Sequence, residues 1–419
     1  MLDDIFIGEH TQYCVDLDSY GSDFIDDDID ELFELIYDER LNRSFGEGLL
    51  FYMQKHNPEV TADTAIDYLL ECCEKNGVEE HDFVQKVTMR SWFESDVCPL
   101  HGIDDRKKIY TIAFVIGLTL EETTDFFHKV YLDRAFDLRI PDEIVYYYCM
   151  RHGRKLCDAK ALLGIIHSNK IKKTDKKIVH TNNIKADIDM INDDDTLLRY
   201  VSSHGRNFEE KMISASKIKN ELVAKALQLA NNKAGLSEKR KKREKTNCKT
   251  DGTKREISND MTSIYKYMSS KSNSFLYYSM TGIKPIGKKG TITVMRRSSA
   301  VPKKIRTNFP EARTLSDKTL NYDELRKLII LLCFYIYWSD DSTTEKTVED
   351  FEADTNAYLY ECGFSPLYYG NPYDWIFYYC SNRGNREYIE YEEDEKNMAI
   401  EAFRLFMENA VDHSIYRNK

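Results

Sequence analysis

Leu120 to Gly153 reads LEETTDFFHKVYLDRAFDLRIPDEIVYYYCMRHG, and Phe351 to Gly384 reads FEADTNAYLYECGFSPLYYGNPYDWIFYYCSNRG. The two stretches align without a gap over 34 positions, at a constant offset of 231. Seven positions are identical: Glu121/Glu352, Thr124/Thr355, Pro141/Pro372, Tyr147/Tyr378, Tyr148/Tyr379, Cys149/Cys380 and Gly153/Gly384. Each copy follows an apolar segment of helical period, Ile109 to Ile116 in one and Leu325 to Trp338 in the other. Proline has no N–H to donate, and its φ suits the first turn of a helix, so Pro141 and Pro372 each open a second helix. A self-match at fixed spacing of this kind predicts a duplicated helix-loop-helix unit in an all-α fold.

Upstream of the first copy the helical period continues. Leu49, Leu50, Tyr52 and Met53 precede a break at Asn57-Pro58, because the residue before proline resists helical geometry. Thr61 is the expected cap of a second helix striped by Ala65, Leu69, Leu70 and Cys73 and ended by Gly77. A third is expected from about His81 to Phe93 on Phe83, Val87, Trp92 and Phe93, and a fourth from about Asp105 to Gly117 on Ile109, Ile112, Ala113 and Ile116. Thr119 and Glu122 have the spacing of a capping box at the start of the fifth. Five short helices in this order have the length of a repressor-type helix-turn-helix module, whose tests are a tight turn before the third helix and a polar outer face on it. That face would carry Gln85, Lys86, Met89 and Arg90, with Lys86 and Arg90 one turn apart.

Charge divides the chain more sharply than its formal net charge of −12 suggests. Residues 154 to 313 hold 36 Lys/Arg against 16 Asp/Glu, a local +20, whereas residues 1 to 39 hold fourteen acids and no Lys or Arg. The expected organisation is an acidic tail (1–39), an amino-terminal helical domain with the first copy (40–168), a basic central region (169–313) and a carboxy-terminal helical domain with the second copy (314–419). Within the centre, a loop from Asn169 to Asp187, helices near 195–204 and 207–231 closed by Gly235, a mobile basic linker at 238–256 and one short strand at Thr291 to Met295 are expected. Residues 261 to 310 carry ten Lys/Arg and no acid, interleaved with Tyr265, Tyr267, Phe275, Tyr277, Tyr278 and Phe309. Cations release counterions from phosphate, and aromatic faces stack on any base, so this pattern points to a polyanion. The acidic tail is an equally charged alternative occupant, which would make it an autoinhibitor.

The stretch from Gly46 to Ile165, with TMRSWF, GLTLEET and FDLRIPDEIVYYYCMRHG, resembles a group of uncharacterised bacterial helical proteins. NFP at Asn308 to Pro310, YDELRKLIILLCFY, GNPYDWIFYYC and EAFRLFM are similar to the same group. Its front end is similar to repressor-like helix-turn-helix regulators, and that resemblance implies nucleic-acid contact.

Other chemistries are poorly represented. There is no phosphate loop, nucleophile elbow, HExxH or dinucleotide fingerprint, so neither an enzyme nor a cofactor is expected. Cys98 and His101 could begin a metal site but lack a second ligand pair, so no metal is expected either. His128 and His152 face Leu359 and Arg383 in the second copy, which argues for structural histidines. The runs Tyr146-Tyr147-Tyr148 and Phe377-Tyr378-Tyr379 could stack bases, or fill a core, as such helices more often do. Ten cysteines without CxxC fit reduced thiols, and the longest apolar run, Leu328 to Trp338, is too short to span a bilayer. With an acidic amino terminus, these features predict a cytoplasmic protein.

Three functions follow in order of support. The first is a non-enzymatic nucleic-acid-binding regulator, with DNA favoured over RNA. Gln85, Lys86 and Arg90 would face a groove, and Lys284, Lys288, Lys289, Arg296, Arg297, Lys303, Lys304 and Arg306 would hold the backbone. The second is a helical scaffold for a protein partner or for self-association. The third is a helical effector enzyme without a recognisable motif.

Overall fold

The computed structural model describes residues 44–78, 83–95, 99, 103–168, 181–203, 213–247, 272–283, 305, 308–340, 346–384 and 398–410. Among them every regular element is a helix, fifteen of them α-helices, and no strand occurs. The fold class is all-α, as the period predicts. The acidic tail, Cys98, His101 and the expected strand at 291–295 lie outside the described residues. No described helix is long and apolar enough to cross a membrane.

The chain divides into two compact units. The first comprises Asn42–Ser214 with Gly363–Tyr368; the described residues of the second lie within Ala215–Cys362 and Tyr369–Lys419.

In the first unit, α1 (Phe45–His56) is capped by Ser44, whose hydroxyl accepts from the Glu47 N–H while the Glu47 carboxylate accepts from the Ser44 N–H. Phe45, Leu49 and Met53 are fully buried on one face of it. Helix α2 (Ala65–Lys75) begins after Thr64 rather than at Thr61, since Thr61 spends its N–H on the Thr64 hydroxyl in a preceding turn. Gly77 then takes φ +63°, the left-handed geometry in which only glycine is unstrained. Helix α3 (Lys86–Glu94) buries Met89 and Trp92 and leaves Val87 74% exposed. The expected inward Val87 and outward Met89 are therefore exchanged: seating Trp92 on Phe45, with ring centroids 5.3 Å apart, turns Met89 inward too, because it lies three residues away.

The remaining helices of this unit are α4 (Ile103–Ile116), α5 (Leu120–Phe126), α6 (Pro141–Arg151), α7 (Leu156–Ser168), α8 (Thr181–Asp189) and α9 (Asp194–Ser203). Thr119 and Glu122 form the capping box expected of them, at 3.0 and 3.1 Å. A single π-helical turn, Phe127–Tyr131, follows α5 and closes on Leu132 in the left-handed region. Where a loop was expected through Asp187, α8 forms because Ile184 and Ile188, one turn apart, are both fully buried.

The second unit holds most of α10 (Ile213–Asn247), then α11 (Ser272–Thr281), α12 (Tyr322–Ser339), α13 (Val348–Cys362), α14 (Pro372–Gly384) and α15 (Met398–Ala410). Helix α10 overturns the expected stop at Gly235 and the expected start of a linker at 238. It runs through Gly235, which as a helix-interior glycine costs about 1 kcal/mol, and continues across residues rich in Lys, Arg and Glu, all good helix formers. Helix α12 is buried on almost every side, consistent with its unbroken apolar run.

The duplication appears as two copies of the same order: α4, α5, α6 and α12, α13, α14. Pro141 and Pro372 are the first residues of their helices. Leu132 and Gly363, equivalent under the offset of 231, both end the preceding helix in the left-handed region, at φ +58° and +71°.

Candidate nucleic-acid interface

Of the eleven residues expected to meet nucleic acid, Gln85, Lys86 and Arg90 are described; Lys284, Lys288, Lys289, Arg296, Arg297, Lys303, Lys304 and Arg306 lie outside the described residues. Gln85 is the residue before α3, in extended geometry and exposed, and its side chain does not cap the helix. The side chains of Lys86 and Arg90 are 45% and 55% exposed. The structure thus brings these three residues to the outer side of one helix, whose inner side is anchored by Met89 and Trp92. Close backbone packing supports that anchoring: a Cβ on Gly46 of α1 would lie 2.3 Å from the carbonyl oxygen of Trp92.

Each cation already has a carboxylate neighbour. Lys86 Nζ donates to Asp67 Oδ1 at 2.8 Å, and Arg90 Nε lies 3.9 Å from Glu94 Oε1. The hydrogen bond and charge of Lys86 hold the Asp67 carboxyl below its ordinary range. Ten residues, 76 to 85, separate α2 from α3, a connection longer than the tight turn of a helix-turn-helix.

The two aromatic runs fill the core, the commoner of their two readings; of the aromatic residues in the cationic segment, Tyr265 and Tyr267 lie outside the described residues, and Tyr278 and Phe309 are half-buried. Tyr146, Tyr147 and Tyr148 are buried, as are Phe377, Tyr378 and Tyr379. Tyr147 donates to Asp189 at 2.5 Å and Tyr148 to Asp194 at 3.0 Å, ties that hold α8 and α9 against α6. In the central region Phe275 and Tyr277 are buried on α11, with Tyr277 Oη bonded to the Pro310 carbonyl at 3.0 Å. These rings cannot slide between bases, because hydrophobic burial and hydrogen bonding already occupy them. His128 and His152 rest beside backbone carbonyls of Pro366 and Ile191, each at 3.3 Å. No group of three or more potential metal ligands occurs among the described residues.

The most concentrated polar chemistry escaped the sequence reading. Arg106 of α4 forms a bidentate pair with Glu143 of α6, Nε and Nη2 each 2.7 Å from a carboxylate oxygen, and reaches Asp133 at 2.5 Å. Tyr110 donates to Glu143 at 2.8 Å and also bonds the Ala135 carbonyl. Burial opposes the Arg106 charge, yet Tyr110, Asp133 and Glu143 outweigh it and raise its pKa well above the ordinary value. In the second copy Arg326 of α12 grips Asp374 of α14 at 2.8 and 2.6 Å. Glu143 and Asp374 are equivalent positions, both third in a helix opened by proline. An acid at that position in both copies was a legible signal. Its arginine was not, because α4 and α12 lie upstream of the gapless match. All the groups in these pairs are nearly sealed from water, so the pairs serve as clamps from the second helix of each copy to the helix before it.

Neither a protein-family model, nor a characterised protein, nor a solved structure matches the chain.

Proposed function

We propose that this chain is a non-enzymatic nucleic-acid-binding protein that contacts phosphates through the outer side of α3 and through its basic centre. The observation that supports the reading is the shared exposure of Gln85, Lys86 and Arg90 on a helix whose opposite side is locked into a core. The carboxylates beside the two cations do not remove them from use. An exposed ion pair is worth only about 0.2–1 kcal/mol, so a phosphate can displace Asp67 from Lys86 or Glu94 from Arg90. The central segment supplies the larger electrostatic term, because each cation that replaces a condensed counterion adds to affinity at low salt.

The test is fluorescence anisotropy of the full chain with a labelled DNA duplex between about 50 and 200 mM salt. Binding should weaken steeply with salt, and the Lys86→Gln/Arg90→Gln variant should reduce the slope by about 2, one contact for each lost cation. Undetectable binding at the lowest salt would refute the reading.

A docking surface for a protein or a second copy is favoured by Met398 and Leu405. They lie seven residues apart on one side of α15 and are 47% and 52% exposed. Self-association through them would show as a concentration-dependent mass in sedimentation that salt leaves unchanged and Leu405→Glu removes.

A further inference from the structure

Three segments distant in sequence meet around Asp323, in the first turn of α12. Asn308 Nδ2 donates to Asp323 Oδ2 at 3.0 Å, and Lys327 Nζ, one turn along α12, donates to the same oxygen at 3.0 Å. Two donors fill the lone pairs of that oxygen. Among the described residues no donor reaches the other oxygen, Oδ1, and the Asp323 side chain is 31% exposed. The carboxylate is thus fixed through one oxygen and keeps the other as an acceptor that a ligand can reach. Lys327 is itself committed, since its side chain is 6% exposed and Nζ lies 5.4 Å from the centre of the Tyr373 ring. Tyr373, the second residue of α14, closes the circle: its hydroxyl donates to the Lys327 carbonyl at 2.8 Å, and Phe309 packs edge-on against its ring, with centroids 5.7 Å apart. Phe309 is half-buried, so part of its ring stays open. Its backbone is pinned on both sides. Asn308 takes φ +56°, in the left-handed region that asparagine tolerates better than most residues, and the Pro310 carbonyl accepts from Tyr277 at 3.0 Å.

We infer that Asp323 and Phe309 form a site for an unpaired guanine base, the carboxylate accepting from its Watson–Crick edge and the phenyl ring stacking on its face. The base has two sources, a single strand or a free guanine nucleotide, and for a strand the inference rests on the nucleic-acid reading above. The donor pattern selects the base. Guanine presents two adjacent donors on that edge, N1–H and the N2 amino group, and the open oxygen of Asp323 has two lone pairs to accept them. Adenine and cytosine set a ring-nitrogen acceptor beside their one amino group, and thymine flanks its one N–H with two carbonyls, so each turns a lone pair towards the carboxylate. Pairing occupies the same edge, so the guanine must be unpaired. Single strands offer their bases in this way, splayed out for stacking on an aromatic ring and for bonding along the Watson–Crick edge. Asn308 and Phe309 also end the stretch 261 to 310, which carries ten Lys/Arg and no acid.

The experiment uses the full chain and labelled oligothymidine strands of about 12 nucleotides, each with one central guanine, hypoxanthine or adenine, in fluorescence anisotropy at about 50 mM salt. Unlabelled guanosine and adenosine monophosphates serve as competitors. The guanine strand should bind at least about fivefold more tightly than the adenine strand, as a two-donor contact requires. Hypoxanthine, which lacks only the N2 amino group, should fall between them. Phe309→Leu should weaken the guanine strand by at least about fivefold, through loss of the stacking face. Asp323→Asn should bring the guanine and adenine strands to equal affinity; where that variant folds poorly, Phe309→Leu and the hypoxanthine strand carry the test. Guanosine monophosphate should displace the guanine strand and adenosine monophosphate should not. Displacement at concentrations near the Kd of the strand assigns the site to a free nucleotide, and displacement only far above it assigns the site to a strand. Equal affinity of the wild type for all three strands would overturn the site, as would a guanine preference that survives both variants or the failure of every strand and of guanosine monophosphate to bind. Duplex binding in the salt titration above, without any guanine preference, would sink the site and leave the broader reading standing.

Discussion

The two copies of the duplicated unit solve one packing problem with different charge arithmetic. In the amino-terminal copy Arg106 serves two buried carboxylates, Asp133 and Glu143, with Tyr110 bonded into the same network. In the carboxy-terminal copy Arg326 makes a two-point grip on Asp374, whose side chain is entirely buried. The loops between helices have diverged, yet the acid at the third position of the proline-opened helix persists. The comparison teaches that the retained element is a clamp between helices, and that loop sequence is free to change around it. A carboxylate in the first helical turn also sits favourably against the helix dipole, which gives this acid a local reason as well as a tertiary one.

The largest expected effects come from breaking the clamps. Removing one partner of a buried pair leaves an uncompensated charge and costs about 3–5 kcal/mol. Arg326→Met and Asp374→Ala should each lower unfolding stability by that amount in urea titrations, and the Arg326→Met/Asp374→Leu double variant should cost less than either. Arg106→Met should cost more than Arg326→Met, because it strands two carboxylates. Equal losses for the two arginine variants would show that the clamps are energetically alike and that the extra carboxylate contributes nothing.

An intermediate effect is expected where the copies differ at the left-handed turn. A side chain in that region costs about 1–2 kcal/mol, so Gly363→Ala, at φ +71°, should destabilise by that amount. Leu132 already has a side chain at φ +58°. Leu132→Gly would relieve the strain and lose part of a half-buried contact, giving a net change within about 1 kcal/mol as measured by thermal unfolding. A large loss at Leu132 would sharpen the comparison by showing that packing there outweighs backbone strain.

The smallest effect concerns Glu122, which the second copy replaces with Ala353. Burial opposes its ionisation, but Lys55 at 2.5 Å and the Thr119 N–H outweigh that and bring its pKa down to about 2 from 4.5. A depressed carboxylate stabilises the fold above its unfolded pKa and loses that contribution as pH falls from about 4.5 to 2. Glu122→Gln keeps an acceptor for the Thr119 N–H but loses the charge beside Lys55, so it should cost up to about 1 kcal/mol at neutral pH, as a part-exposed ion pair does, and converge with the wild type below pH 2. If the gap between the two persists in strong acid, the contribution is packing and not charge.

The all-α class, the duplication, Pro141 and Pro372 as helix openers, Gly77 and Gly117 as helix ends and the Thr119–Glu122 box were all legible in the sequence. Each is a local matter: a period, a φ restriction or a hydrogen bond between residues three or four apart. The outward placement of Lys86 and Arg90 was equally legible from their one-turn spacing. The inward turn of Met89 was not, since it depends on Trp92 finding Phe45 in another helix. The length of α10 escaped for a different reason. Composition without apolar residues suggests a linker, although Lys, Arg and Glu have high helical propensity. What tertiary structure alone decided was the pairing of Arg106 with Asp133 and Glu143 and of Arg326 with Asp374. Sequence determines which groups can bond along one helix. Which charges meet after being removed from water depends on how helices distant in the chain come together, and that is set by the summed packing of both faces.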